Sequence, residues 1–215
     1  MLIAAARRLT PGLHGWLRRR YAYYVDSAVG RPMTTVPVEL ANLDVDDGWM
    51  RFANLCEQHA DATVVVNTAA RNHEGIHEHG PILTVALEEL GREFIVLWVI
   101  NTERDGLQLL KDFLEVMPGH AVHVLRNLKH GAEANFDLYN ASRLRETLEA
   151  NGGMSLNVPK LAADVAKAIF SDRLSIEAAL RVMPIGNRAA LTGWRQRCAA
   201  VFEHVVRCGE VAEPV

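Results

Sequence analysis

No lysine precedes Lys111, and before Gly30 the only glycines are Gly12 and Gly15. The opening of the chain therefore lacks a glycine-rich loop with a lysine, the element that cradles phosphate with backbone N–H groups and a point charge. Cysteine is scarce and odd in number. Cys56, Cys198 and Cys208 are widely spaced with no C-x-x-C pairing, which excludes a disulfide framework and points to reduced thiols of a cytoplasmic protein. No apolar run reaches spanning length, and the opening Met1–Arg8 is too short for a signal core, so no membrane partner is expected. Nor is one sign of charge in excess: with a net charge of −3, no global field draws in nucleic acid, and any such contact must come from a local patch. Internal repeats and low-complexity linkers are also missing. What remains is 215 residues, 49% of them apolar, enough for one core and one domain over residues 1–215.

Strand-length apolar runs recur at Tyr21–Asp26, Thr63–Asn67, Phe94–Asn101, Val122–Asn127 and, more weakly, Ser155–Val158. They alternate with helical spacing at Asp47–His59, Pro81–Leu90, Asp105–Val116, Ser142–Asn151 and Leu161–Phe170. This order predicts βαβ units, and the near-continuous Val/Ile/Leu content predicts a mostly parallel sheet covered by helices on both faces. Gly91 and Gly152 are placed to stop helices. Beyond Ser171, Ser175–Met183 and Asn187–Cys208 read as a C-terminal helical layer of the same domain, residues 171–215. Val29–Val45, with Gly30, Pro32 and Pro37, is the expected mobile loop.

Read in order, several segments resemble the ParA/MinD-like P-loop ATPases encoded with plasmid partition and conjugal transfer genes. The resemblance is carried by Tyr23-Tyr24-Val25-Asp26, by Val64-Val65-Val66-Asn67 leading into Thr68-Ala69-Ala70, and by Leu97-Trp98-Val99-Ile100-Asn101. Val124-Leu125-Arg126-Asn127 and Leu156-Asn157-Val158-Pro159-Lys160-Leu161 continue it. It implies a nucleotide-binding protein, with ATP and Mg2+ as cofactors and ATPase activity if a phosphate-binding loop lies upstream. Met1–Leu9 reads like the helix that follows that loop. On the same resemblance Asp26 helps to hold magnesium, Asn67 stands where the family usually has Asp, and the turn after Asn67 senses the γ-phosphate. Asn127 and Pro159 frame the adenine. An amide is a poor magnesium ligand, so Asn67 weighs against hydrolysis. Asn127 has a second reading, as the cap of the turn before Lys129-His130-Gly131. Implied partners are a homodimer, non-specific DNA, or a transfer or partition protein, with Arg18-Arg19-Arg20 and Arg188, Arg195 and Arg197 as the patches that would meet phosphates. A non-catalytic scaffold with a vestigial nucleotide site is the alternative.

A competing constellation is His73-Glu74-Gly75-Ile76-His77, which satisfies H-E-x-x-H, the zinc-hydrolase pattern, with His79 as a further ligand. That chemistry needs a stable helix, whereas Gly75 weakens one and Pro81 would clash with the His77 carbonyl. A loop or a frayed turn is therefore expected at residues 73–77. Trp98 reads as core, and Cys56, on a helical pattern with Phe52 and Leu55, as a buried inert thiol.

Overall fold

A computed structural model describes residues 2–8, 22–26, 38–68 and 73–208, the first two segments by their backbone alone. Seven strands, β1 (Leu2–Arg8), β2 (Ala22–Asp26), β3 (Val38–Leu40), β4 (Thr63–Asn67), β5 (Arg92–Ile100), β6 (Ala121–Asn127) and β7 (Ser155–Val158), form one sheet in the order β3-β2-β4-β1-β5-β6-β7. Eight helices accompany them among the described residues: α1 (Asp46–Gln58), α2 (His73–Glu89), α3 (Asp105–Val116), α4 (Asp137–Asn140), α5 (Arg143–Ala150), α6 (Ala163–Ser171), α7 (Ile176–Val182) and α8 (Ile185–Cys208). The class is α/β, as expected.

Every strand is parallel to its neighbours except β1, which runs antiparallel to both β4 and β5. This corrects the reading of Met1–Leu9 as a helix. The alanine-rich segment is a good helix former by propensity, but propensity is a small term per residue, and backbone partners on both sides outweigh it. Ala4, for example, lies between Val66 and Val96.

Strand β5 shows why both faces are covered. Phe94, Val96, Trp98 and Ile100 join Val64, Val66, Val122 and Val124 in a core that includes Trp49, Phe52, Leu83, Leu87, Leu110 and Phe113 from α1, α2 and α3. Ile95 and Leu97, offset by one residue, pack instead with Leu125 and with Val205 of α8. Alternate side chains point to opposite faces, so α1–α3 and α8 lie on opposite sides. A third cluster, Val165, Ala179, Met183 and Leu191, binds α6, α7 and α8 into the C-terminal layer.

Helix α1 buries Trp49, Phe52, Leu55 and Cys56 at helical spacing, and the Trp49 indole donates to the Leu43 carbonyl at 2.8 Å. Its C-terminal end meets Arg92, only 6% exposed. That guanidinium donates to the carbonyls of Cys56 (2.9 Å), His59 (3.1 Å), Ala60 (3.3 Å) and Ala62 (2.6 Å), so it serves a carbonyl in the last turn of α1, which lacks an intrahelical partner, and the turn that leads into β4.

Helix α2 departs from expectation. It begins at His73 and runs through Pro81, so residues 73–77 open a continuous helix rather than forming a loop or a frayed turn. Pro81 cannot donate to the His77 carbonyl, but Ile76, Leu83 and Leu87 bury one face in the core. Gly80 allows close approach to α3, since a Cβ there would stand 2.8 Å from Met117 Sδ. Packing outweighs one lost hydrogen bond. The expected loop at Val29–Val45 contains β3, and residues 27–37 lie outside the described residues. Gly91 and Gly152, with φ of 59° and 81°, do end helices as expected.

Candidate functional site

Since β2, β4, β5, β6 and β7 all run the same way, their C-terminal ends share one sheet edge, the place where open α/β sheets bind ligands. Asp26 and Asn67 end β2 and β4 in register with each other. Asn127 ends β6 in register with Val158 of β7, and Pro159 follows directly. The reversed β1 brings Ile3 beside Asn67 on this edge. The residues singled out by resemblance thus fall into two pairs separated by β1 and β5. Residues 69–72, which carry the turn after Asn67, lie outside the described residues, as do Arg18–Arg20.

The Asn127 side-chain oxygen accepts the Lys129 N–H at 3.1 Å, and the Asn127 carbonyl accepts the His130 N–H at 3.0 Å. The turn-capping role is therefore realised. Asn101 does the same after β5, accepting the Glu103 N–H at 3.0 Å. Among the described residues the Asn127 amide NH2 has no hydrogen-bond acceptor, so its donor remains for a ligand.

Behind Asn127 a polar network fixes the loop of residues 128–136. The buried Arg126 donates to Glu133 Oε1 at 2.9 Å and to Asn140 Oδ1 at 2.8 Å, and Asn157 Nδ2 donates to Glu133 Oε2 at 2.6 Å. Both carboxylate oxygens of Glu133 are thus tied to β6 and β7. Tyr139 and Ser155 share a hydroxyl hydrogen bond of 2.7 Å. Burial pushes the Tyr139 phenol above its ordinary value, against the pull of the Ser155 hydrogen bond. On the other side of the strand ends, Trp194 of α8 donates its indole N–H to the Pro159 carbonyl at 2.7 Å.

Between these two anchors lies a cavity of about 520 Å3. Lys129, His130, Gly131, Pro159, Lys160 and Arg197 line it. The sequence reading marked Pro159 and Arg197 but not the lysines or His130. The available signal was that Lys129 and Lys160 each follow a strand end by two residues.

The H-E-x-x-H motif falls on the first turn of α2, with His77 exposed and His79 half-buried, its Nε2 3.9 Å from Glu78 Oε2. The side chains of His73 and Glu74 are outside the described residues. Among the described residues no three metal-ligating side chains gather. Cys56 is fully buried, and burial pushes its thiol up to about 11 despite the opposing Arg92 charge. Trp98 is core, its indole donating to the Gly106 carbonyl at 3.1 Å. No helix among the described residues is long and apolar enough to cross a membrane.

No family model matches the sequence, and no solved structure matches it. Among curated proteins, Protein MobD of Acidithiobacillus ferrooxidans is similar: 47% of residues are identical over 168, spanning 78% of this chain and 74% of the relative. At that identity over that much of both proteins, the chain belongs to the MobD family.

Proposed function

We propose that this chain is a ParA/MinD-like nucleotide-binding protein serving plasmid mobilization or partition. One observation carries the reading: Asp26, Asn67, Asn127 and Pro159, chosen by resemblance, fall on the same C-terminal edge of the parallel strands, where this class of sheet takes its ligands. The name of the MobD relative supports the mobilization side. The implied ATP and Mg2+ fit unequally. Asn127 offers an amide donor suited to an adenine edge, and Pro159 a rigid apolar wall. At the ends of β2 and β4, however, the donor set is one carboxylate and one amide, and the 215 residues contain no glycine-rich loop with a lysine before β2. One carboxylate and a neutral amide supply little of the charge that magnesium and a hydrolytic water require.

A non-catalytic scaffold is the second reading. It is favoured by the slot between β4 and β5, which Leu2–Arg8 fills with a reversed strand rather than a strand leading into a phosphate loop. Calorimetric titration of the full chain with ATP and magnesium separates the two. A saturable heat weakened about tenfold by Asn127→Ala, the worth of one good hydrogen bond, supports nucleotide binding. Silence at millimolar nucleotide leaves the scaffold.

A further inference from the structure

We infer that the cavity beyond Asn127 is an anion site for phosphate esters. The chain has only four lysines, Lys111, Lys129, Lys160 and Lys167, and two of them line this cavity, with Arg197 and His130. All four side chains are exposed. None of them has an ion-pair partner among the described residues, and no acidic residue lines the cavity. The carboxylate nearest in sequence, Glu133, is held by Arg126 and Asn157. By contrast, a depression of about 500 Å3 over α1 contains Arg51, which Glu39 matches at 2.8 Å.

The backbone contributes as well. In the turn after β6 the N–H groups of Lys129, His130 and Ala132 are taken by Asn127 Oδ1, the Asn127 carbonyl and Asn135 Oδ1. The Gly131 N–H has no acceptor among the described residues, and Gly131 lines the cavity. A side chain is excluded there, since a Cβ would stand 2.9 Å from Asn135 Cβ. An open N–H amid lysine and arginine charges is the chemistry that receives phosphoryl oxygens. A second cavity of about 360 Å3 shares Lys160 and Arg197 and extends along α8 past Ala189 and Gly193, which gives room for more than one phosphate. The turn and α8 are held in place by the Glu133 bridge and by the Trp194 bond to Pro159, so the cations gather at a fixed site.

This places negative charge where the resemblance puts a neutral base, and it does not depend on the nucleotide reading. The test is calorimetric titration of the full chain with inorganic pyrophosphate, with adenosine, with ATP, and with a twelve-residue oligothymidylate, repeated on the Lys160→Ala/Arg197→Ala double variant. Both substituted residues are exposed, and an unchanged thermal midpoint checks the fold. Pyrophosphate is expected to bind saturably, to weaken with added salt, and to lose at least about tenfold in affinity in the double variant, the scale of one charge-assisted contact. Competition between oligothymidylate and pyrophosphate would name a nucleic-acid backbone as the source of the phosphate, and competition by ATP alone a free nucleotide. Binding of adenosine without pyrophosphate, or pyrophosphate binding unchanged in the double variant, overturns the inference.

Discussion

The Trp194 indole N–H meets the Pro159 carbonyl at 2.7 Å, and through that bond the C-terminal helical layer is fixed to the loop that leaves the last strand. Trp194→Phe keeps an aromatic ring but removes the donor and part of the indole's bulk. The loss should be at least about 1 kcal/mol, the net worth of such a bond, with lost packing against the third core cluster adding to it, read as a lower urea midpoint with unchanged slope. Pyrophosphate affinity should fall with it, because the wall carrying Lys160 loosens against Arg197.

Arg92 deserves the larger effect. Its guanidinium serves the carbonyls of Cys56, His59, Ala60 and Ala62 from a buried position. Arg92→Met fills similar space but leaves those acceptors without their donor. A destabilisation of about 3 kcal/mol is expected, with amide exchange faster at the end of α1 than in β6.

Acid should weaken the fold through two histidines. Burial pushes His123 below its ordinary 6.5, with Glu93 pulling partly back, and does the same to His120 against Glu88. His123 Nδ1 also accepts the Met154 N–H at 3.2 Å, which a doubly protonated ring cannot do. Below pH 6.5 the unfolded chain therefore binds more protons than the folded one. Stability is fully present above 6.5 and declines as pH falls from there toward the lowered folded values. Urea titrations at pH 7.5 and 5.5 should show the decline, and His123→Asn, which retains an acceptor, should remove the part that His123 contributes and leave that of His120.

Cys56 should resist thiol reagents. With its thiol pushed up to about 11 by burial, almost no thiolate forms at pH 8. Disulfide-exchange reagent should label it only at the rate of unfolding, whereas labelling in 6 M urea should be immediate.

Five strands and the α/β class were legible because apolar runs of strand length end at Asp26, Asn67, Asn101, Asn127 and Val158, and those ends set the candidate edge. Four features were not legible, the first being β3, three residues inside the expected loop. Leu2–Arg8 carries too little periodic signal to reveal pairing with strands far along the chain. Helix α2 hides behind Pro81, whose local penalty is outweighed by Ile76, Leu83 and Leu87 in the core. The cationic cavity needs the turn after β6, the loop after β7 and α8 brought together, and no spacing in the sequence encodes that meeting. The Asn127 cap, by contrast, is a local event between neighbours, and the sequence alone suggested it.

The reversed strand β1 has a consequence for how the chain folds. Parallel pairs such as β5 and β6 are joined by single α-helical crossovers and can form from nearby segments, but Ala4 must wait for both Val66 and Val96. The sheet halves β3-β2-β4 and β5-β6-β7 meet only through β1. Closing that seam joins the most distant segments of the sheet, so the two half-sheets become one surface only when β1 has paired on both its sides.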